Sequence, residues 1–258
     1  MRGAVPALLA LLGCAPALHA PRPLEAGPAG EESPGELLAE ARASFARRPD
    51  LAAVRRARDL FREAAARDPA GVEGLVGAIL AAAWLVEHEP SASERALLAS
   101  TAVEDGERCE QRRSGDPSCD YGLAIGLGLQ ARERHATASE GLKLMVEHLR
   151  SAEAKDPRLD LAGPERVLAL LLVRAPGWPL GPGDPEEGLV EARKAVALFP
   201  DHPPNQLALA EALFKTGASE PARAAAERAL ALARAARDPD GPDWVRQAED
   251  LLQRMGQA

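Results

Sequence analysis

The stretch that decides the fold is "ARDLFREAAARDP", residues 57–69. Ala57, Phe61 and Ala64 stand four and three residues apart, and Pro69 follows five residues later. Side chains at these offsets share one face of an α-helix, where a neighbouring helix can pack against them. Proline cannot donate the next helical hydrogen bond, so it ends the segment. The stretch therefore predicts a helix with one packing face and a defined end.

The same spacing returns along the chain, and an apolar helical segment precedes each copy. The further copies are Met145, Leu149, Ala152 and Pro157; Gly188, Ala192, Ala195 and Pro200; a degraded Asp105, Cys109, Arg112 and Pro117; and Ala222, Ala226 and Ala229 with a late Pro239. The preceding segments are "GELLAEARASFA", "VEGLVGAILAAAWLVEH", "YGLAIGLGLQARER", "PERVLALLLVR" and "NQLALAEALFKTG". The chain thus alternates a helix A with a helix B. A generic helical bundle could use the same residues, but regular terminal prolines favour stacked pairs.

This alternation resembles the tetratricopeptide repeat. The last unit matches best, with Leu209, Ala210, Leu213 and Gly217 on helix A and the alanines at 222, 226 and 229 on helix B. The resemblance implies an all-α solenoid of about five A/B units. The terminal prolines lie 39 to 48 residues apart, so the units must have longer helices or loops than the 34-residue repeat. The segment "DGPDWVRQAEDLLQRM", residues 240–255, predicts a closing helix.

Composition and charge exclude several classes of function. Hydrophobic residues make up 46% of the 258 residues, but only eight are aromatic, which suits closely packed helices. The formal net charge is −8 and no basic stripe offsets it, so we expect no nucleic-acid partner. The apolar run from Leu75 to Val86 is shorter than the ~20 residues that a membrane span needs, which indicates a buried helix.

The N-terminus predicts export. Arg2 precedes an apolar run from Val5 to Leu12, and "LLGC" at residues 11–14 resembles a bacterial lipobox in which Cys14 is lipidated. Ordinary cleavage after Ala17 or Ala20 is the alternative. We expect a signal peptide at residues 1–20, a flexible Pro- and Gly-rich tether at 21–34 and a helical-repeat domain at 35–258. The protein would then be periplasmic, with membrane contact only through a lipid on Cys14.

One loop interrupts the helical pattern at "RAPGWPLGPGDPEEG", residues 174–188. Proline and glycine together predict a bent but restrained path. Asp184 should cap the next helix, with Pro185 at its first position. For Trp178 we favour packing of its ring against the helices; a ligand or partner contact formed by Trp178, Pro179 and Leu180 is the second interpretation.

The region around this loop resembles the T component associated with TRAP transporters. The matching features are "AGP" before a helix A, the Gly183-Asp184-Pro185 turn and the small-residue helix B that ends at Pro200. The resemblance covers roughly residues 156–235. It implies an exported lipoprotein whose helices surround a cavity and which partners a periplasmic solute-binding subunit.

Cys109 and Cys119 stand ten residues apart, near the end of one helix and the start of the next. In an oxidising compartment they predict a disulfide, worth roughly 3 kcal/mol if its geometry is suitable. The alternatives are two free buried thiols or one thiol exposed at the turn.

No motif predicts catalysis, a cofactor or a metal. "GLGLQA" at residues 126–131 matches a loose nucleotide fingerprint, but it lies in a helical run, so its glycines should permit close helix contact instead. "DPDGPDWVRQAE" at residues 238–249 begins like a calcium loop, but its glycine comes too early, and a capped turn explains it better. The five histidines show no zinc spacing. We therefore expect no enzyme, no cofactor and no metal site.

Two functions remain after these exclusions. The first is a cell-envelope adaptor or scaffold that binds another envelope protein on its concave surface. The second is a TRAP-transporter-associated component that holds a small solute between its helices. The oligomeric state cannot be read from the sequence.

Overall fold

The computed structural model describes Leu24, residues 32–133 and residues 138–257. Cys14 and the predicted signal peptide lie outside the described residues, as does the tether apart from Leu24 and residues 32–34. Within the described ranges the chain forms eleven α-helices, one 3₁₀ helix (Leu159–Leu161) and no β-strand. The α-helices are α1 (Pro34–Phe45), α2 (Leu51–Arg67), α3 (Glu73–His88), α4 (Ala92–Arg112), α5 (Pro117–Glu133), α6 (Ala138–Lys155), α7 (Gly163–Arg174), α8 (Pro185–Leu198), α9 (Pro203–Lys215), α10 (Ser219–Ala235) and α11 (Gly241–Gln257).

The α-helices stack in chain order as five A/B pairs, from α1/α2 to α9/α10, with α11 closing the last pair. Each helix contacts the next one in the chain, and helices A of neighbouring units also meet, as α1 meets α3 and α7 meets α9. The three largest hydrophobic clusters of the described residues follow one another along the stack, and each is built from consecutive helices. The predicted all-α, tetratricopeptide-like solenoid is confirmed.

Small residues allow the helices to approach closely, as the repeat pattern predicts. Ala57 and Ala64 are buried, and Phe61 is buried beside them. A Cβ at Gly126 of α5 would lie 2.9 Å from backbone atoms of Ala102 and Val103 in α4, so only glycine fits this contact. The glycines of "GLGLQA" therefore serve helix packing. The apolar run of α3 is buried in the stack, and none of the described helices could cross a membrane.

Side-chain caps set the helix starts. Ser33 and Glu36 form a capping box at α1, in which the Glu36 amide donates to Ser33 Oγ at 3.3 Å. Asp184 caps α8 by accepting a hydrogen bond from the Glu187 amide at 3.1 Å, and Pro185 occupies the first turn. The predicted start of α8 is confirmed.

The degraded repeat copy on α4 contacts its neighbours through charged side chains. Asp105 is buried, and its carboxylate accepts a 2.7 Å hydrogen bond from Arg108 and lies 3.4 Å from Arg62. Burial raises the pKa of Asp105 to about 6 in spite of these cations. Arg112 donates to the carbonyls of Ala65, Asp68 and Gly71 at 2.8–3.0 Å and thereby satisfies the end of α2. Polar contacts thus replace the apolar packing residues of the other copies.

A left-handed turn sets the direction of α7. Asp160, Leu161 and Ala162 have φ values of 48°, 55° and 65°, a conformation that costs about 1–2 kcal/mol per non-glycine residue. A partly buried network holds this turn: the exposed Asp160 accepts hydrogen bonds from Tyr121 at 2.7 Å and Arg166 at 2.8 Å, and fully buried Asn205 donates to the Leu161 carbonyl at 3.1 Å. The network offsets the backbone strain and fixes α7 against α5 and α9.

Candidate functional site

The inner faces of the last helices A surround a groove of about 810 Å³. Leu170 and Arg174 on α7 stand four residues apart, and so do Leu207 and Glu211 on α9, so each pair projects from one helix face. Helix α11 supplies a further wall. The lining residues are Glu87, Arg166, Leu170, Arg174, Pro204, Leu207, Glu211, Gln247, Asp250, Leu251, Gln253, Arg254 and Gln257.

Charges of both signs line this groove around a small apolar strip. The Arg174 guanidinium binds the Glu211 carboxylate through two hydrogen bonds, of 2.8 and 2.7 Å. Such a bidentate pair has a fixed geometry, so it holds both side chains in place. Glu87, from the end of α3, is paired with Arg132 of α5. The groove can therefore contact both apolar side chains and polar or charged groups.

The last helix also touches the first units of the stack. Asp240, just before α11, accepts hydrogen bonds from Arg48 Nε at 2.7 Å and from Trp84 Nε1 at 3.2 Å. His88 stacks on Trp84 with 3.7 Å between ring centroids, and its Nε2 lies 2.9 Å from Asp243 Oδ2. The contacts of the two aspartates join positions more than 150 residues apart. Two of the three aspartates of the calcium-like segment thus join the first units of the stack to the last.

A second group of carboxylates lies between α6, α7 and α8. Glu165 is 1% exposed, and its Oε2 has no hydrogen-bond partner. Burial, together with the nearby carboxylates of Glu153 and Glu191, raises the pKa of Glu165 to about 7. Lys194 pairs with Glu153 at 2.8 Å and with Glu191 at 2.9 Å, so two other carboxylates already share its charge. The arrangement favours a neutral Glu165 over much of the acidic pH range.

The loop between α7 and α8 presents an apolar tip to solvent. Trp178 is 91% exposed and Leu180 is 71% exposed, so the expected packing of the Trp178 ring against the helices is wrong. The loop closes on itself through backbone hydrogen bonds, such as the Gly183 amide to the Pro176 carbonyl at 2.9 Å, and the tip points away from the stack. None of Trp178, Pro179 and Leu180 lines the groove or two smaller pockets beside α1–α3.

Cys109 and Cys119 lie where α4 passes into α5, both fully buried, with their sulfurs joined at 2.03 Å. The oxidation state of the pair in the cell stays a prediction. Lipidation of Cys14 stays a prediction too.

The groove residues were not predicted from the sequence. A usable signal is present, because Leu170 and Leu207, like Arg174 and Glu211, are 37 residues apart, so they occupy equivalent positions of two units. The closing contact of Asp240 with Arg48 has no such signal, because it joins different kinds of element at opposite ends of the chain.

The chain is similar in structure to TTC0263, a thermophilic TPR protein of Thermus thermophilus. The match has a TM-score of 0.62 and 22% sequence identity, and it covers 85% of this chain and all of that one. No family model matches the chain, and no curated protein matches it. At this identity the similarity establishes the fold alone: the chain has the helix-pair solenoid fold of a tetratricopeptide-repeat protein.

Proposed function

We propose that the protein is a non-enzymatic adaptor of the cell envelope that binds a segment of a partner protein in the groove between α7, α9 and α11. The observation that carries the proposal is the groove itself, with its volume of about 810 Å³ and a lining that combines apolar side chains with charges of both signs. Stacked helix pairs offer such extended surfaces without needing catalytic groups.

The rigidity of the groove supports this function. Arg174 and Glu211 hold each other in place, and the Asp240 contacts fix α11 relative to α3. A pre-formed wall loses little conformational entropy when a partner binds, which favours affinity. The envelope location rests on Arg2, the apolar run and Cys14, and mass spectrometry of the mature N-terminus tests the lipid on Cys14.

A charge swap tests the groove directly. The double variant Arg174→Glu/Glu211→Arg keeps the ion pair, so its thermal stability should equal that of the wild type, but it reverses the charge pattern that a partner meets. We expect the swapped protein to lose the partner that wild-type protein captures from cell envelopes. Equal capture by both proteins would exclude the groove as the binding site.

Photo-crosslinking locates the partner independently. Gln253 is exposed in the groove, whereas Leu97, 58% exposed on α4, is outside it. A photoreactive residue at position 253 should crosslink the partner, and the same residue at position 97 should not. Crosslinks from position 97 alone would place the partner on the outer face.

A second candidate is a TRAP-associated component that handles a small solute. The groove volume falls within the ~300–1,000 Å³ typical of small-molecule sites. Native mass spectrometry of the purified protein should then show a bound small molecule that the charge swap removes. A protein that carries no such molecule in the presence of envelope extract would disfavour this candidate.

A further inference from the structure

Three metal-ligating side chains meet beside the disulfide, and none of them lines the groove. Glu110 of α4, Asp120 of α5 and His148 of α6 each offer one ligand atom, and these atoms all lie within 4.8 Å of one another. Ligands of a tetrahedral zinc ion lie about 3.4 Å apart, given bonds of about 2.0–2.1 Å. Small rotations of the side chains would therefore bring the three atoms onto one ion.

One oxygen of this cluster lacks a partner. Glu110 Oε1 exposes less than 1 Å² and forms no hydrogen bond, whereas Oε2 of the same carboxylate is bonded by the Gly115 amide at 3.2 Å. A buried acceptor without a partner costs about 1–3 kcal/mol, so such an atom usually has an ion or a water beside it. The free oxygen thus points to a missing ligand, independently of the grouping of the three side chains.

Lys155 supplies the positive charge that the cluster has at present. Its Nζ donates to Asp120 Oδ2 at 2.8 Å, as does Ser151 Oγ at 2.7 Å, while His148 Nδ1 lies 2.7 Å from Asp120 Oδ1. The Asp120 side chain is only 6% exposed, but that of Lys155 is 39% exposed. The ammonium can therefore turn into solvent. Two carboxylates and one ammonium leave the cluster with a net negative charge, which attracts a divalent cation.

The disulfide holds two of the three ligands in place. Glu110 directly follows Cys109 and Asp120 directly follows Cys119, and the two cysteine Cα atoms are 5.1 Å apart. A covalent link at this position limits the separate motion of α4 and α5. Ligands held by such a frame lose less entropy on binding, which raises the affinity for an ion.

We propose that Glu110, Asp120 and His148 bind a divalent first-row transition ion of the zinc class, with Lys155 displaced into solvent. One imidazole with two carboxylates suits zinc, whereas calcium and magnesium prefer oxygen ligands alone. The fourth position is left to water. The ion would join α4 of the second unit to both helices of the third, so its binding would stabilise that junction of the solenoid.

Isothermal titration of the oxidised full chain with Zn²⁺, purified without a histidine tag, tests the proposal. We expect one ion per chain. Glu110→Gln and His148→Gln should each weaken binding by at least about 10-fold, since even residues that only support a ligand contribute that much. Two matched controls, Glu147→Gln on the exposed face of α6 and His88→Gln in the distant His–Asp pair, should bind as the wild type does.

Lys155→Met distinguishes a metal site from a structural cluster. If the ammonium competes with the ion, this variant should bind Zn²⁺ more tightly than the wild type, although it loses a bond to Asp120. Co²⁺ should show the absorption of a low-coordinate site in the wild type and not in His148→Gln. No saturable Zn²⁺ binding, or equal affinity in the wild type, Glu110→Gln and His148→Gln, would overturn the proposal.

Discussion

Replacement of Asp240 by alanine should open the joint between the first and last units. Asp240 Oδ1 accepts from Arg48 at 2.7 Å and from Trp84 at 3.2 Å, so the change leaves two donors without an acceptor. The Arg48 side chain is only 11% exposed, and that of Asp240 is 26% exposed, so water replaces the lost contacts incompletely.

The expected loss of stability follows from this burial. Removing one partner of a buried ion pair costs about 3–5 kcal/mol, and partial access of water reduces that figure here. The Trp84 indole adds about 1 kcal/mol for a lost hydrogen bond. We therefore expect Asp240→Ala to lower the free energy of unfolding by about 2–4 kcal/mol. Asp240→Asn, which keeps an acceptor oxygen, should cost about half as much.

Urea unfolding, followed by circular dichroism and tryptophan fluorescence, measures this loss. Asp201→Ala is the matched control, because its ion pair with Arg228 is exposed and should contribute no more than about 1 kcal/mol. Hydrogen exchange then locates the effect: the end of α3 and the start of α11 should lose protection together in Asp240→Ala. A double-mutant cycle that combines Asp240→Ala with Arg48→Met should give a coupling energy of about 1–3 kcal/mol.

Two results would refute the reasoning. One is a loss in Asp240→Ala no larger than in Asp201→Ala. The other is additivity of the Arg48 and Asp240 variants, because independent effects would mean that the two ends of the solenoid do not support each other.

Three further predictions concern stability. Burial raises the pKa of Glu165 from 4.5 to about 7, so between these pH values the folded chain keeps a proton that the unfolded chain releases, and the free energy of unfolding falls as the pH rises through this window. Urea unfolding at several pH values should show that Glu165→Gln removes this dependence and adds about 1–3 kcal/mol of stability at pH 8. Reduction of the Cys109–Cys119 bond should lower the free energy of unfolding by about 3 kcal/mol, since it frees a ten-residue loop. An unfolding midpoint that is the same with and without reductant would contradict this prediction. Asn205→Ala should cost about 3 kcal/mol, because it leaves the Leu161 carbonyl and the Arg166 guanidinium each without the buried Asn205 side chain as a partner. The exposed Glu227→Ala should cost less than about 0.5 kcal/mol when both variants are compared by urea unfolding.

The sequence predicted the helices well because their signals are local. The spacing of Ala57, Phe61, Ala64 and Pro69 identifies a helix face and a helix end within thirteen residues. Asp184 and Pro185 likewise define the start of α8 from adjacent positions. Each of these patterns depends on backbone geometry that repeats about every 3.6 residues, so it can be recognised without knowing the rest of the chain.

Local patterns misjudged the residues whose roles depend on distant neighbours. Trp178 was expected to pack, because tryptophan is usually buried, but the hydrogen bonds of its loop leave it facing solvent. Asp105 and Arg112 were interpreted as losses from the repeat, yet they bind partners on α2 and at its end. The approach of His148 to Glu110 and Asp120 likewise depends on how α6 lies against α4 and α5.

The sequence by itself determined that this chain is a series of helix pairs, where most of them begin and end, and which faces are buried. Only the tertiary structure decided that the series curves until Asp240 reaches Arg48 and that a charged groove lies inside the curve. The physical reason is that each pair is turned slightly relative to the one before it. These small rotations depend on many side-chain contacts and accumulate over five units, so the meeting of the two ends is a property of the whole stack.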